Sequence, residues 1–204
     1  NNGVAYPDLP GAYYSCPEFV TEYFPEKTNT STILNERYDM KSILYQTGAG
    51  NIYIAIDITN SQKVIIKEAR KYVYATRDIT SIELLKNEAK IIKKLSGSVT
   101  PNYIDDFYLE GNYYLVEEFI EGKTLNALKT DFNLLLKRTP SEITTFNNKL
   151  QKIISKLFKS LEYIHNHGVI VDDISCSNII LTSENKVYFI DFETAYLKNE
   201  KPLI

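Results

Sequence analysis

The sequence predicts an α+β protein: a strand-rich first part carrying one helix, then a mainly helical second part. Three observations carry this. Five β-type segments separated by turn residues fall between Tyr38 and Ile120. The strongest helical stripe of the chain runs from Leu150 to Ile164. Two short strands then follow, around Ile179 to Leu181 and Val187 to Ile190, split by Ser183-Glu184-Asn185.

Taken in order, residues 1–35 read as irregular. Pro7, Pro10, Pro17 and Pro25 interrupt regular structure, and Thr28 to Thr32 is a polar run. The aromatic-rich piece Tyr13 to Val20 reads as an extended segment packed on a neighbour. Ser42 to Thr47, Gly48-Ala49-Gly50 and Asn51 to Ile58 spell strand, glycine turn, strand. Lys63 to Glu68 is a third strand, with β-branched Val64, Ile65 and Ile66. Thr80 with Glu83 forms a capping box for a helix whose apolar stripe is Ile82, Leu85, Ala89 and Ile92, and Gly97 stops it. Tyr103 to Leu109 and Tyr113 to Ile120 are strands joined by Glu110-Gly111-Asn112.

After Gly122 the pattern turns helical. Thr124 to Lys129 reads as a short helical piece. Thr139 caps the long helix, with Pro140 at its first position and Glu142 closing the box. Its stripe is Leu150, Ile153, Ile154, Leu157, Phe158, Leu161 and Ile164, and the run ends at His165-Asn166-His167-Gly168.

Composition excludes several classes. The 204 residues hold 23 Lys and Arg against 26 Asp and Glu, a net charge of −3, so no general nucleic-acid partner is expected. Two cysteines, Cys16 and Cys176, make neither a disulfide framework nor a zinc site and fit a reducing cytosol. Apolar stretches are too short to span a membrane. The chain starts on Asn1, which points to a segment of something longer.

The chemistry-bearing residues lie near the end. Asp173-Ile174-Ser175-Cys176-Ser177-Asn178 and Ile190-Asp191-Phe192-Glu193 give D-x-x-x-x-N, a hairpin, then D-F. Phosphoryl transfer needs such a set: one carboxylate at the acceptor hydroxyl, and an amide oxygen and a second carboxylate for magnesium. Upstream, Val64-Ile65-Ile66-Lys67 puts a lysine on an apolar strand, where it needs a partner, and Glu88 sits on the next helix. Gly48-Ala49-Gly50 is a weak signal alone, since hairpin turns favour glycine anyway.

In this order the motifs resemble a protein kinase over residues 38 to 197. The resemblance implies a bilobal fold, with a five-stranded antiparallel N-lobe over 38–120 and a partial, mainly helical C-lobe over 121–204, preceded by a linker segment, 1–37. It implies that Gly48, Gly50, Glu118 and Ile120 hold ATP or GTP. Lys67 would anchor phosphates and pair with Glu88. Asp173 would be the catalytic base, with Asn178 and Asp191 the Mg2+ ligands. The departures are specific. The position before the hinge is Glu117, Asp172 stands where an Arg is usual, and D-F-G reads Asp191-Phe192-Glu193.

Those departures are similar to one group, the kinase domains of class III and class IV lanthipeptide synthetases. The shared stretches are Gly168-Val169 through Asn178-Ile179, Ile190-Asp191-Phe192-Glu193-Thr194-Ala195, Ile66-Lys67-Glu68-Ala69-Arg70 and Pro17-Glu18-Phe19-Val20. That resemblance implies phosphorylation of Ser and Thr in a precursor peptide in the cytoplasm, with lyase and cyclase domains outside this segment. It also implies missing C-lobe helices and hence an exposed apolar face at Leu150, Ile154, Leu157 and Leu161. Two other readings stay open at this point: a small-molecule phosphotransferase of the aminoglycoside or choline type, and a non-catalytic pseudokinase binding module.

Overall fold

The computed structural model describes residues 32–95, 97–128 and 139–204. The aromatic segment at 13–20 and the end of the expected helical piece at Lys129 lie outside these residues.

β1 (Ile33–Leu34), β2 (Tyr38–Gln46), β3 (Asn51–Asp57), β4 (Gln62–Ala69), β5 (Tyr103–Leu109) and β6 (Asn112–Glu118) form one sheet in the order β1-β2-β3-β4-β6-β5. Every pairing is antiparallel. The sheet has six strands rather than the expected five. The extra one, β1, is only two residues long and forms through a tight turn at Asn35 and Glu36, both with positive φ, which no strand pattern announces.

Side-chain alternation sorts β4. Val64 and Ile66 enter one apolar cluster with Tyr38, Ala55, Tyr114 and Val116. Ile65, Lys67 and Ala69 point to the other face. β4 is central, so this lysine is not on an edge strand facing water. α1 (Ser81–Leu95) packs on that face, with Leu84, Leu85, Glu88, Ala89, Ile91, Ile92 and Leu95 buried. The capping box at its start is present: the Glu83 N–H donates to Thr80 Oγ1, and the Thr80 N–H to Glu83 Oε2.

The β2–β3 turn explains one glycine. Thr47 clasps it, donating from its N–H to the Gly50 carbonyl and accepting from the Gly50 N–H. A β-carbon on Gly50 would sit 1.7 Å from the Glu68 carbonyl oxygen, which is backbone and cannot step aside. Gly50→Ala is therefore expected to cost at least about 1–3 kcal/mol, as overpacking does. Urea unfolding would read this, and wild-type stability would refute the close approach.

At the far side, Asp57 is inaccessible to solvent and gripped by Arg37, with Nη2 at 2.7 Å and Nε at 3.1 Å from its oxygens. The hydrogen bonds from Arg37, then those from Thr59, hold the Asp57 carboxyl at about 2, below its ordinary value. A depressed carboxylate pKa contributes stability above the unfolded value, and that contribution is lost as pH falls through the folded value. The stability gap between wild type and Asp57→Asn is expected to be full near pH 7 and to close between about pH 4 and 2. Denaturation curves across that range measure it.

The second part is built on α2 (Pro140–Asn166), with β7 (Lys123–Thr124), β8 (Val169–Ile170), β9 (Ile179–Leu181), β10 (Val187–Phe189) and β11 (Tyr196–Leu197). β10-β9-β7 form one small sheet and β11-β8 another. The Thr139 capping box and Pro140 start α2 as expected. Thr124 is not helical: Lys123 and Thr124 pair with Leu181 and Ile180, so long-range pairing overrides local propensity. On α2, Phe146, Ile153, Ser160 and Ile164 are buried. The apolar face expected to be open is divided. Ile154 (40%) is exposed and Leu150 half-buried, whereas Leu157 and Leu161 pack on the core; Phe158 (69%), outside that expected set, is also exposed. One cluster joins the two parts, from Leu85, Ile92 and Leu95 to Ile164, Phe189 and Phe192.

Candidate active site

A cleft of about 930 Å³ opens between the sheet lobe and the β9–β10 hairpin. Strand register places its charged floor. Lys67 lies opposite Leu115, and Ile65 opposite Glu117, so Lys67 and Glu117 share a face and sit diagonally across the β4–β6 pair. Helical spacing on α1 brings Glu88 to the same place, between Leu84, Leu85 and Ile91, Ile92 on the buried face. Lys67 Nζ is 2.7 Å from Glu88 Oε1 and 3.3 Å from Glu117 Oε1.

All three charges are withdrawn from water, with residue exposures of 9% for Lys67, 1% for Glu88 and 3% for Glu117. Burial works against the Lys67 ammonium, but the carboxylates of Glu117, Glu88 and Asp191 outweigh it and raise its pKa. Lys67 therefore stays charged. Burial lifts the Glu117 carboxyl above the ordinary range, with Lys67 pulling it back.

The lower wall comes from two segments. Asn178 donates from Nδ2 to Asp173 Oδ2 at 3.0 Å, and the Ile190 N–H donates to the Asn178 carbonyl at 2.9 Å. These bonds hold the loop carrying Asp173 against the strand end carrying Asp191. Asp191 adopts φ +67°, a left-handed conformation uncommon outside glycine but tolerated by Asp, and of the kind that concentrates at functional sites. Burial and then Glu88 raise the Asp191 pKa, while burial, Glu88 and Asp191 push Glu193 up to about 7. α1 grips this stretch twice. The Phe192 N–H donates to Glu88 Oε1, and Asn87 Nδ2 donates to the carbonyls of Glu193 and Ala195.

The protein kinase domain family matches residues 38–202. The chain belongs to that family. Among relatives, it is 26% identical to a probable SapB synthase of Streptomyces coelicolor, over 98% of this chain and 22% of that protein. It is 27% identical to the probable serine/threonine-protein kinase YbdM of Bacillus subtilis, over 84% of this chain and 62% of the relative. It is 31% identical to serine/threonine-protein kinase D of Synechocystis, over 77% of this chain and 30% of the relative. The chain thus spans less than two thirds of each of these proteins.

In this kinase domain, Gly50, Lys67, Glu88, Glu118, Ile120, Asn178 and Asp191 all line the cleft. Gly48 and Asp173 are not among its lining. Gly48 has open space around it, because the turn presents Ala49 and Gly50 instead. Asp173 is exposed and joins the site through Asn178. Three contacts escape a reading of the sequence. Glu117 as a second partner of Lys67 depends on β4–β6 register, Asn87 is an ordinary helix residue, and Glu193 is visible only as a departure from D-F-G. Among the described residues, no helix is long and apolar enough to cross a membrane.

Proposed function

We propose that this kinase domain transfers the γ-phosphate of ATP or GTP to Ser and Thr hydroxyls of a ribosomal precursor peptide, as the phosphorylating unit of a lanthipeptide synthetase. The observation that carries the phosphotransfer reading is Lys67, held charged in the cleft by Glu88 and Glu117 within reach of the field of Asp191. The peptide context rests on the Ile190-Asp191-Phe192-Glu193 and Ile66-Lys67-Glu68-Ala69-Arg70 stretches. A match along nearly the whole chain to one fifth of a synthase is consistent with a kinase unit in a longer enzyme. Lyase and cyclase steps would belong to that remainder, and the cytoplasm would be its place of work.

The residues present suit magnesium and a nucleotide. The donors are all oxygens, which is what a hard cation selects, and Glu88 Oε2 is a buried oxygen without a hydrogen-bond partner. Asn178 and Asp191 would hold magnesium, whose charge offsets that on the phosphates. Lys67 would bind phosphate oxygens as a fixed charge. Backbone groups from Glu118 to Ile120 would receive the base. Asp173, oriented by Asn178 and open to solvent, would accept the proton of the peptide hydroxyl.

Asp173→Asn is expected to bind nucleotide as the wild type does and to lose about 10²–10⁴-fold in turnover, the usual worth of a positioned base. Nucleotide titration and mass spectrometry of a Ser/Thr-containing peptide separate the two quantities. Normal peptide phosphorylation by this variant would remove Asp173 from the role. Nucleotide binding without transfer in the wild type would favour a binding module instead.

A further inference from the structure

We propose that Glu88, Asp191 and Glu193 form a divalent-cation site that fills without nucleotide. One carboxylate oxygen from each lies within 4.8 Å of the others. Oxygens sharing a cation at about 2.1–2.4 Å stand about 3–4.8 Å apart, from adjacent to opposite positions, so modest side-chain shifts would close the three on one ion.

A separate observation points to a ligand. Glu88 is 1% exposed, and its Oε1 is engaged by Lys67 Nζ and the Phe192 N–H. Its Oε2 is buried with no hydrogen-bond partner. A buried carboxylate oxygen left without a donor costs free energy, and native structures rarely keep one. The charge balance is equally one-sided. The ion pairs of Lys67 go to Glu88 and Glu117, so Asp191 and Glu193 face mainly like charge. A divalent ion supplies both the missing partner and the missing positive charge.

The backbone is already shaped for it. Phe192, 1% exposed, anchors the stretch in the core between the two acidic residues, and Asn87 holds the Glu193 carbonyl. An all-carboxylate set selects a hard cation, Mg2+ in the cell, for which Mn2+ is a spectroscopic probe. Bound there, the ion would tie α1 to the 191–193 stretch before any nucleotide arrives. The site shares Asp191 with the phosphotransfer reading but does not use Asn178, so the two can fail separately.

The test is a Mn2+ titration of the nucleotide-free full chain, followed by electron paramagnetic resonance and competed with Mg2+. One Mn2+ per chain is expected. Glu193→Gln should weaken it at least tenfold, and Asn178→Ala should leave it unchanged. Circular dichroism checks that each variant is folded, and Glu193→Ala replaces Glu193→Gln if the latter is not. No Mn2+ binding by the wild type at millimolar metal would overturn the proposal, as would undiminished binding in the Glu193 variant. Loss of phosphate transfer in Asn178→Ala with Mn2+ binding retained would support both readings independently.

Discussion

Lys67→Met is expected to destabilise the fold by about 3–5 kcal/mol and to abolish phosphate transfer, because breaking a buried ion pair from one side leaves uncompensated charge. Two carboxylates depend on this one ammonium: Glu88 at 2.7 Å and Glu117 at 3.3 Å. Neither is open to water, so removing the ammonium leaves two buried carboxylates facing each other, and Glu117, whose carboxyl burial already raises, loses the charge that pulled it back. The pH dependence follows. Carboxyls whose folded pKa is raised are penalised above their unfolded value and not below it. The deficit of Lys67→Met should therefore be largest above neutral pH and shrink as pH falls toward about 4.5. Urea unfolding at pH 8 and pH 5 compares the two. Adding Glu117→Gln should recover part of the loss, since residues in one charge network are not additive. A deficit that is the same at both pH values would show that the lysine acts through packing alone.

Asp191→Asn is expected to separate activity from stability. Transfer should fall by at least about 10²–10³-fold, the scale on which a single preorganised electrostatic group contributes. The fold should be unharmed or slightly firmer. Burial and then Glu88 raise the Asp191 pKa, so the folded protein penalises its charge relative to water, and the amide removes that repulsion. Asn also tolerates the φ of +67° found here. Peptide phosphorylation rates and thermal melting, measured on the same preparation, check both halves. Normal transfer would sink the assignment of Asp191 to phosphate chemistry. A large fall in melting temperature would mean that the carboxylate is structural.

Much of the site was legible beforehand because its markers are local. Lys67 stands out as a charge ending a β-branched strand, and Glu88 as a charge inside the apolar stripe of a capped helix. Each is costly alone, and each therefore predicts the other. Gly48 was less legible than Gly50. A G-x-G turn does not say which glycine meets backbone, and only the 1.7 Å approach to Glu68 distinguishes them. Thr124 is strand rather than helix because two residues of pairing to β9 outweigh a weak helical preference.

The sequence by itself determined the five longer strands of the main sheet, the two helices with their caps, and the β9–β10 hairpin. These depend on periodicity, capping and turn chemistry, which act over a few residues. Only the tertiary structure decided which charges meet. β6 lies beside β4, so Glu117 reaches Lys67 diagonally. The 191–195 stretch returns under α1, so that Glu88 holds the Phe192 N–H and Asn87 holds the carbonyls of Glu193 and Ala195. Strand order and segment return are set by burying the shared core around Leu85, Ile92, Phe189 and Phe192. Hydrophobic burial is non-directional and summed over the whole fold, so no local pattern encodes where it will bring two distant carboxylates together.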